Sequence, residues 1–234
     1  MLAFTNSAEK FLSGQILLFD KPAGWSSFDV VKKVRYLIKK THGLQKIKVG
    51  HAGTLDPLAT GLLIICTGKL TKQISKIQTQ AKIYSGTIRL GGTSASYDLE
   101  TTVDYNYETS HINEKLIRQT AKKFTGNINQ KPPIFSALKY NGERLYEKAR
   151  RGEKIKIKKR LVSVHYFNII NIKNFDIDFE IKCSTGTYIR SIAHDFGSEI
   201  NSGGHLLRLC RTAIGNYKLL NAMTIQNFET LLND

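Results

Sequence analysis

The chain has 234 residues, 41% of them hydrophobic, and its 35 Lys and Arg outnumber 19 Asp and Glu to leave a formal net charge of +16. That length supports a substantial buried core in one large or two small domains, and the composition is ordinary for a soluble globular protein. No run reaches the ~18 consecutive apolar residues a membrane helix needs, and the first residues lack the basic-then-apolar pattern of a signal peptide.

Residues 15–20 read as a strand, closed by Lys21-Pro22-Ala23-Gly24. Ser26 stands three residues before Asp29, the spacing of a capping box with Asp in place of Glu. Val30, Val31, Val34, Leu37 and Ile38 then recur at helical spacing until His42-Gly43, a C-terminal stop. Residues 47–49 and 62–66 are short strands, and 82–90 an exposed strand ending at Gly91-Gly92. Residues 113–124 form a second helix, with Leu116, Ile117, Thr120 and Phe124 on one stripe, and Lys131-Pro132-Pro133 interrupts regular structure. A short helix over 143–151 precedes a hairpin of 161–172 with 175–183. Its second strand sets Phe175, Ile177, Phe179 and Ile181 against Asp176, Asp178, Glu180 and Lys182. Residues 189–200 are helical, 205–211 extended and 225–232 a terminal helix. Hairpin signals outnumber βαβ signals, so the expected class is α+β.

Three cysteines, Cys66, Cys183 and Cys210, are far apart and odd in number. This argues against a disulfide framework or a paired-cysteine zinc site, and for reduced thiols in a cytosolic protein. The basic surplus favours a polyanion partner, because cations that neutralise phosphates release counterions. From Lys148 to Arg160, eight of thirteen residues are Lys or Arg and Glu153 is the single acid. Tyr140 and Tyr146 lie just upstream, the pairing of rings and cations found on nucleic-acid surfaces.

One carboxylate draws the chemistry. In Gly50-His51-Ala52-Gly53-Thr54-Leu55-Asp56-Pro57-Leu58-Ala59-Thr60-Gly61-Leu62-Leu63, Asp56 sits on a turn made rigid by Pro57 and permissive by two glycines. Ionised carboxylates resist burial without a partner, so this placement suits a nucleophile or general base. The expected partner is Arg190, in Thr185-Gly186-Thr187-Tyr188-Ile189-Arg190-Ser191. In extended geometry, alternation points Tyr188 and Arg190 to one face, a credible acid–base and ion-pairing set. The alternative is a core tyrosine with a surface arginine. His51 is open between base, ligand and surface residue, though nothing else stands at metal-ligand spacing, so no metal is expected. Tyr84 is either ordinary strand packing or a ring for stacking on a base. Glycine-rich phosphate loops and the Gly-x-Ser-x-Gly elbow are missing, so ATP and NAD chemistry are not expected.

Taken together, these segments resemble the bacterial tRNA pseudouridine-55 synthases, the TruB family. Asp20-Lys21-Pro22-Ala23-Gly24-Trp25-Ser26-Ser27 is similar to its N-terminal motif, Gly50 to Leu63 to its catalytic motif and Lys82-Ile83-Tyr84 to its base-stacking strand. The middle signature runs through Phe124-Thr125-Gly126, Gln130-Lys131-Pro132-Pro133 and Phe135-Ser136-Ala137-Leu138-Lys139-Tyr140 to Gly142 and Leu145-Tyr146. Gly186 to Ser191, with Gly204-His205 through Leu209-Cys210-Arg211, completes the set in order.

The resemblance implies a pseudouridine synthase fold: a mixed, mostly antiparallel sheet with flanking helices and a central active-site cleft. It makes residues 1–13 a tail and 14–234 one catalytic domain. Asp56 becomes the nucleophile, attacking C1′ of the ribose or C6 of the uracil, in a reaction that uses neither cofactor nor metal. Tyr188 contacts the uracil and serves in proton transfer, Arg190 pairs with Asp56, Tyr84 stacks on the target base and Leu209 lines the pocket. His51 fills the gap left when the nucleotide flips out of the T-loop, a step that fits chemistry on a base otherwise stacked inside folded RNA. The basic run grips the tRNA T-arm, and the enzyme is expected to be a cytoplasmic monomer with no membrane partner. Departures are Ala95 where the family carries Asp, Thr101 where it carries Gly, and an end at Asp234 where many relatives continue into an RNA-binding domain. The high charge is expected to make up for some of that contact. A non-catalytic tRNA-binding or tRNA-folding protein, or a synthase acting on another RNA, is the alternative.

Overall fold

The computed structural model describes residues 4–136, 138–140, 142–153, 155 and 157–233. In chain order the elements are α1 (Ala8–Ser13), β1 (Ile16–Lys21), α2 (Ser27–His42), β2 (Val49–His51), β3 (Thr60–Thr67), α3 (Ile74–Gln78), β4 (Lys82–Leu90), β5 (Thr93–Ser94) and β6 (Val103–Asp104). Then follow α4 (Glu114–Lys123), β7 (Gly126–Gln130), β8 (Lys139–Tyr140), β9 (Glu143–Arg144), α5 (Leu145–Arg150), β10 (Arg160–Lys173), β11 (Asp176–Cys183), α6 (Ile189–Glu199), β12 (Gly204–Ile214), β13 (Tyr217–Lys218) and α7 (Ile225–Asn233). The class is α+β, as the sequence predicts. Met1–Tyr84 with Cys210–Asp234 make one compact unit and Ser85–Leu209 a second.

In the first unit β3 pairs antiparallel with β1, from Ile16↔Cys66 to Lys21↔Gly61, and parallel with β12 through Cys210↔Thr60 and Arg211↔Gly61. The continuous apolar run of β3 follows from cover on both faces. Leu63 and Ile65 pack with Phe11 of α1, Val30, Val34 and Ile38 of α2, and Phe228 of α7. Leu62, Ile64 and Cys66 pack on the other face with Ala52, Ile77 and Ile214. The capping box is present, with Asp29 N–H donating to Ser26 Oγ (3.1 Å) and Ser26 N–H to Asp29 Oδ2 (3.0 Å), and Gly43 ends α2 at φ +61°. The sequence reading makes residues 1–13 a tail, yet Ala8–Ser13 is helical and Phe11 is fully buried.

In the second unit the strand order is β12-β4-β11-β10-β7. β10 and β11 form the expected antiparallel hairpin, and β7 runs antiparallel to β10. Ile177, Phe179 and Ile181 are buried as their alternation predicts, but Phe175, placed on the same face by that alternation, lies in the turn before β11 and is exposed. Phe167 bridges Phe179 (5.6 Å between ring centres) and Phe196 of α6 (5.7 Å), seating that helix on the hairpin. Two expectations need correction. β4 is not exposed: it has a strand on either side, and Lys82, Tyr84, Ile88 and Leu90 are buried. The helix expected over 143–151 starts only at Leu145, because Glu143 and Arg144 pair with Tyr140 and Lys139 as a small hairpin.

Candidate active site

Asp56 is half-buried at the head of a turn in which the Ala59 amide donates to the Asp56 carbonyl (3.1 Å). The other carbonyls of this loop are held by buried side chains. Arg211 donates to Gly53 O (3.0 Å), Thr54 O (3.4 Å) and Leu62 O (2.8 Å). Ser27 Oγ donates to Leu55 O (3.0 Å) and accepts from Leu55 N–H (2.7 Å). Lys21 Nζ donates to Pro57 O (3.2 Å), Pro22 O (2.9 Å) and Trp25 O (2.6 Å). The backbone from Gly53 to Pro57 thus has its acceptors satisfied around the carboxylate-bearing residue. Gly61, at φ +96°, allows this approach: a Cβ there would stand 2.5 Å from the Arg211 carbonyl oxygen and 2.8 Å from its amide nitrogen.

Burial pushes the Lys21 ammonium down from 10.5 to about 8; the Asp56 carboxylate opposes this and the Arg211 charge adds to it. Above that pH a neutral amine has two protons for three carbonyls. Catalysis is therefore expected to fall on the alkaline side with a midpoint near 8, and Lys21→Arg to move that limb upward, as read from initial rates across pH. Stability should move the opposite way. The folded value lies below the unfolded one, so between about 8 and 10.5 the unfolded chain binds the extra proton and this group's contribution to stability rises with pH. A limb that tracked unfolding would contradict the assignment.

His51 ends β2 and is half-buried; burial and the Arg211 charge hold its imidazole below the usual value, against a backbone hydrogen bond at Gly53. Tyr84 is buried in β4. His51, Asp56 and Tyr84 belong to the first unit, and Tyr188, Arg190 and Leu209 to the second.

The sequence expectation that Tyr188 and Arg190 share a face of one extended segment is corrected by a change of element. The chain turns through Gly186 (φ +84°), with Thr187 Oγ1 donating to Ser184 O (3.0 Å). Tyr188 keeps extended dihedrals as the N-cap of α6, while Arg190 is already helical. Gln130 holds Tyr188 from both sides: its Nε2 donates to Tyr188 O (3.0 Å) and its Oε1 accepts from Tyr188 N–H (2.8 Å). The Arg160 guanidinium lies 4.7 Å from the Tyr188 ring centre and donates to Gly186 O. Arg190 is 3% exposed and donates to Ser96 O (2.9 Å) and Phe135 O (2.8 Å), with its Nε 3.7 Å from the Asp98 carboxylate. Near the two departures noted above, the Thr101 hydroxyl meets Ser96 Oγ (2.9 Å) and accepts from Ser96 N–H (3.0 Å), bracing the residue whose carbonyl Arg190 uses. Leu209 is buried in β12.

Sequence reasoning missed Arg211, Ser27, Gln130 and Asp98. For Arg211 a signal exists: it shares the inward phase of Leu209 and Ala213 along β12. In the basic run, Lys148 and Arg151 are each shared between Glu143 and Glu153, and Arg150 meets Glu100 (3.3 Å) and the Tyr146 ring. Lys154 and Lys156 of that run, and Ala137 of the middle signature, lie outside the described residues. Among the described residues no cluster of His, Cys, Asp and Glu could hold a metal ion, and no helix is long and apolar enough to cross a membrane.

Residues 39–189 match the protein family described as "TruB family pseudouridylate synthase (N terminal domain)". The chain is 57% identical over 225 residues to tRNA pseudouridine synthase B of Flavobacterium johnsoniae, covering 96% of this chain and 98% of that protein. It is 45% identical over 223 residues to the protein of the same name from Phocaeicola vulgatus, covering 95% of each. Among solved structures, the crystal structure of a Cbf5-Nop10-Gar1 complex contains a chain that aligns at a TM-score of 0.71 and 28% identity, over 94% of this chain and 54% of that one. The structure of an H/ACA RNP bound to a substrate RNA containing 2'-deoxyuridine contains one at a TM-score of 0.68 and 26% identity, over 94% and 53%. This chain therefore spans about half the length of those two structural relatives.

Proposed function

The chain belongs to the TruB family of pseudouridylate synthases, and on that premise we propose that it isomerises uridine to pseudouridine at position 55 in the T-loop of tRNA, with Asp56 as nucleophile. The observation that carries this reading is the near end-to-end match to proteins named tRNA pseudouridine synthase B. The reaction breaks the N1–C1′ bond, turns the detached ring and forms C5–C1′; the C5 proton leaves and N1 regains one. No electrons and no groups are gained or lost, so the balance calls for no redox cofactor. Asp56 supplies the attacking carboxylate, at C1′ or at C6, from a turn whose backbone is held on all sides. Arg190 pairs with that carboxylate, Tyr188 moves the proton, and Tyr84 and Leu209 receive the flipped uracil. His51, biased toward its neutral form, fills the vacated place in the T-loop. The cations of the basic run, with the net charge of +16, hold the T-arm backbone. The enzyme works in the cytoplasm as a monomer.

The test is tritium release from a tRNA transcript carrying 5-tritiated uridine. Release of one equivalent from the wild-type transcript and none from a transcript with cytidine at position 55 is expected. Equal release from both would refute the position, and no release from either would refute the activity.

A further inference from the structure

The Asp56 turn rests on two cations that a merely structural role does not call for. Lys21 and Arg211 both pair with Gly61, one on each neighbouring strand, and residues in register on adjacent strands project to the same face. Both are essentially fully buried. Removing a guanidinium from water is expensive, and an apolar residue at 211, in phase with Leu209 and Ala213, would serve the core at lower cost. What the guanidinium supplies is a planar fork of donors that reaches Gly53, Thr54 and Leu62 at once. Ser27, the first residue of α2, holds both backbone groups of Leu55, the residue just before Asp56.

We propose that Arg211 and Ser27 are positioning residues for the reaction: they act through the backbone of residues 53–55 to set the place and aim of the Asp56 carboxylate. This inference rests on the functional reading above. Misplacing an attacking group by about 1 Å costs on the order of 10²-fold in rate. Gly61 of the catalytic motif follows from the same device, since it admits the backbone of Arg211 itself, whereas Gly53 answers to its own φ of +107°, which L side chains rarely adopt.

The test compares Arg211→Met, Arg211→Lys and Ser27→Ala with wild type in tRNA binding, single-turnover tritium release and hydrogen exchange of the peptide spanning residues 50–62. Arg211→Met is expected to bind tRNA within about threefold of wild type but turn over about 100-fold more slowly. Ser27→Ala should slow about tenfold, the worth of one to two hydrogen bonds. Arg211→Lys should fall between wild type and Arg211→Met, because one ammonium cannot reach all three carbonyls. In each variant exchange should quicken in residues 50–62 and stay unchanged in β10 and β11. Folded variants that turn over within about threefold of wild type, or whose loss lies wholly in binding, overturn the proposal. Should Arg211→Met fail to fold, the other two variants decide. A wild-type enzyme that releases no tritium refutes the functional reading instead, and the exchange comparison then tests the clamp alone: unchanged exchange in residues 50–62 overturns it.

Discussion

Asp56→Asn is expected to leave a folded protein that still binds tRNA but releases no tritium from 5-tritiated uridine, with the rate down at least about 10⁴-fold. The substitution is nearly isosteric and touches none of the carbonyl contacts that shape the loop. Arg211, Ser27 and Lys21 keep their hold on residues 53–57, and Ala59 its bond to the residue-56 carbonyl. What is lost is the anionic oxygen. A carboxamide is neither a nucleophile at C1′ or C6 nor a base of useful strength at neutral pH. The measurement pairs filter binding with single-turnover tritium release, and a melting curve guards against a folding defect. Residual release within tenfold of wild type would remove Asp56 from the role of nucleophile while leaving the family assignment intact.

Arg190→Met should act on stability and activity together. Arg190 and Asp98 are 3% and 7% exposed in their side chains, so the methionine leaves a buried carboxylate without its cation and strips a donor each from Ser96 O and Phe135 O. Breaking a buried ion pair from one side costs about 3–5 kcal/mol, which in a chain of this size lowers the melting temperature by about 6–10 °C. Pairing it with Asp98→Asn relieves the orphaned charge and should recover part of the melting temperature without recovering tritium release. A double variant that regains activity would show that Arg190 serves the fold alone. A single variant that melts like wild type would show that the Asp98 pair contributes little.

Local signals carry far in this chain. The helix from Ser26 to Gly43 is legible because its cap, its apolar stripe and its stop all lie within one stretch of sequence. The alternation of β11 is legible for the same reason, since each side chain's face follows from its own position. The Asp56 turn is legible as unusual, because a proline and two glycines surround a carboxylate beside an apolar strand. The exposure assigned to β4 is wrong because an alternating, moderately polar strand reads as an edge unless its neighbours are known, and those come from β11 and β12, far along the chain. The shared face assigned to Tyr188 and Arg190 fails because the reading carries strand alternation past Gly186, where the chain turns and enters a helix.

By itself the sequence determines most of the element types, the basic surplus and the unusual turn on which Asp56 stands. Those are properties of short windows and of composition, which fold little of their information into distance. What surrounds that carboxylate is decided only by tertiary structure. Gly61 brings the backbone of a strand some 150 residues away within contact of the loop and so delivers a buried guanidinium to Gly53, Thr54 and Leu62. Gln130 fixes Tyr188, and Asp98 meets Arg190, across separations of 58 and 92 residues that no local pattern encodes. The physical reason is that a buried polar group is satisfied by whichever partner packing brings near, and sequence distance does not enter that energy.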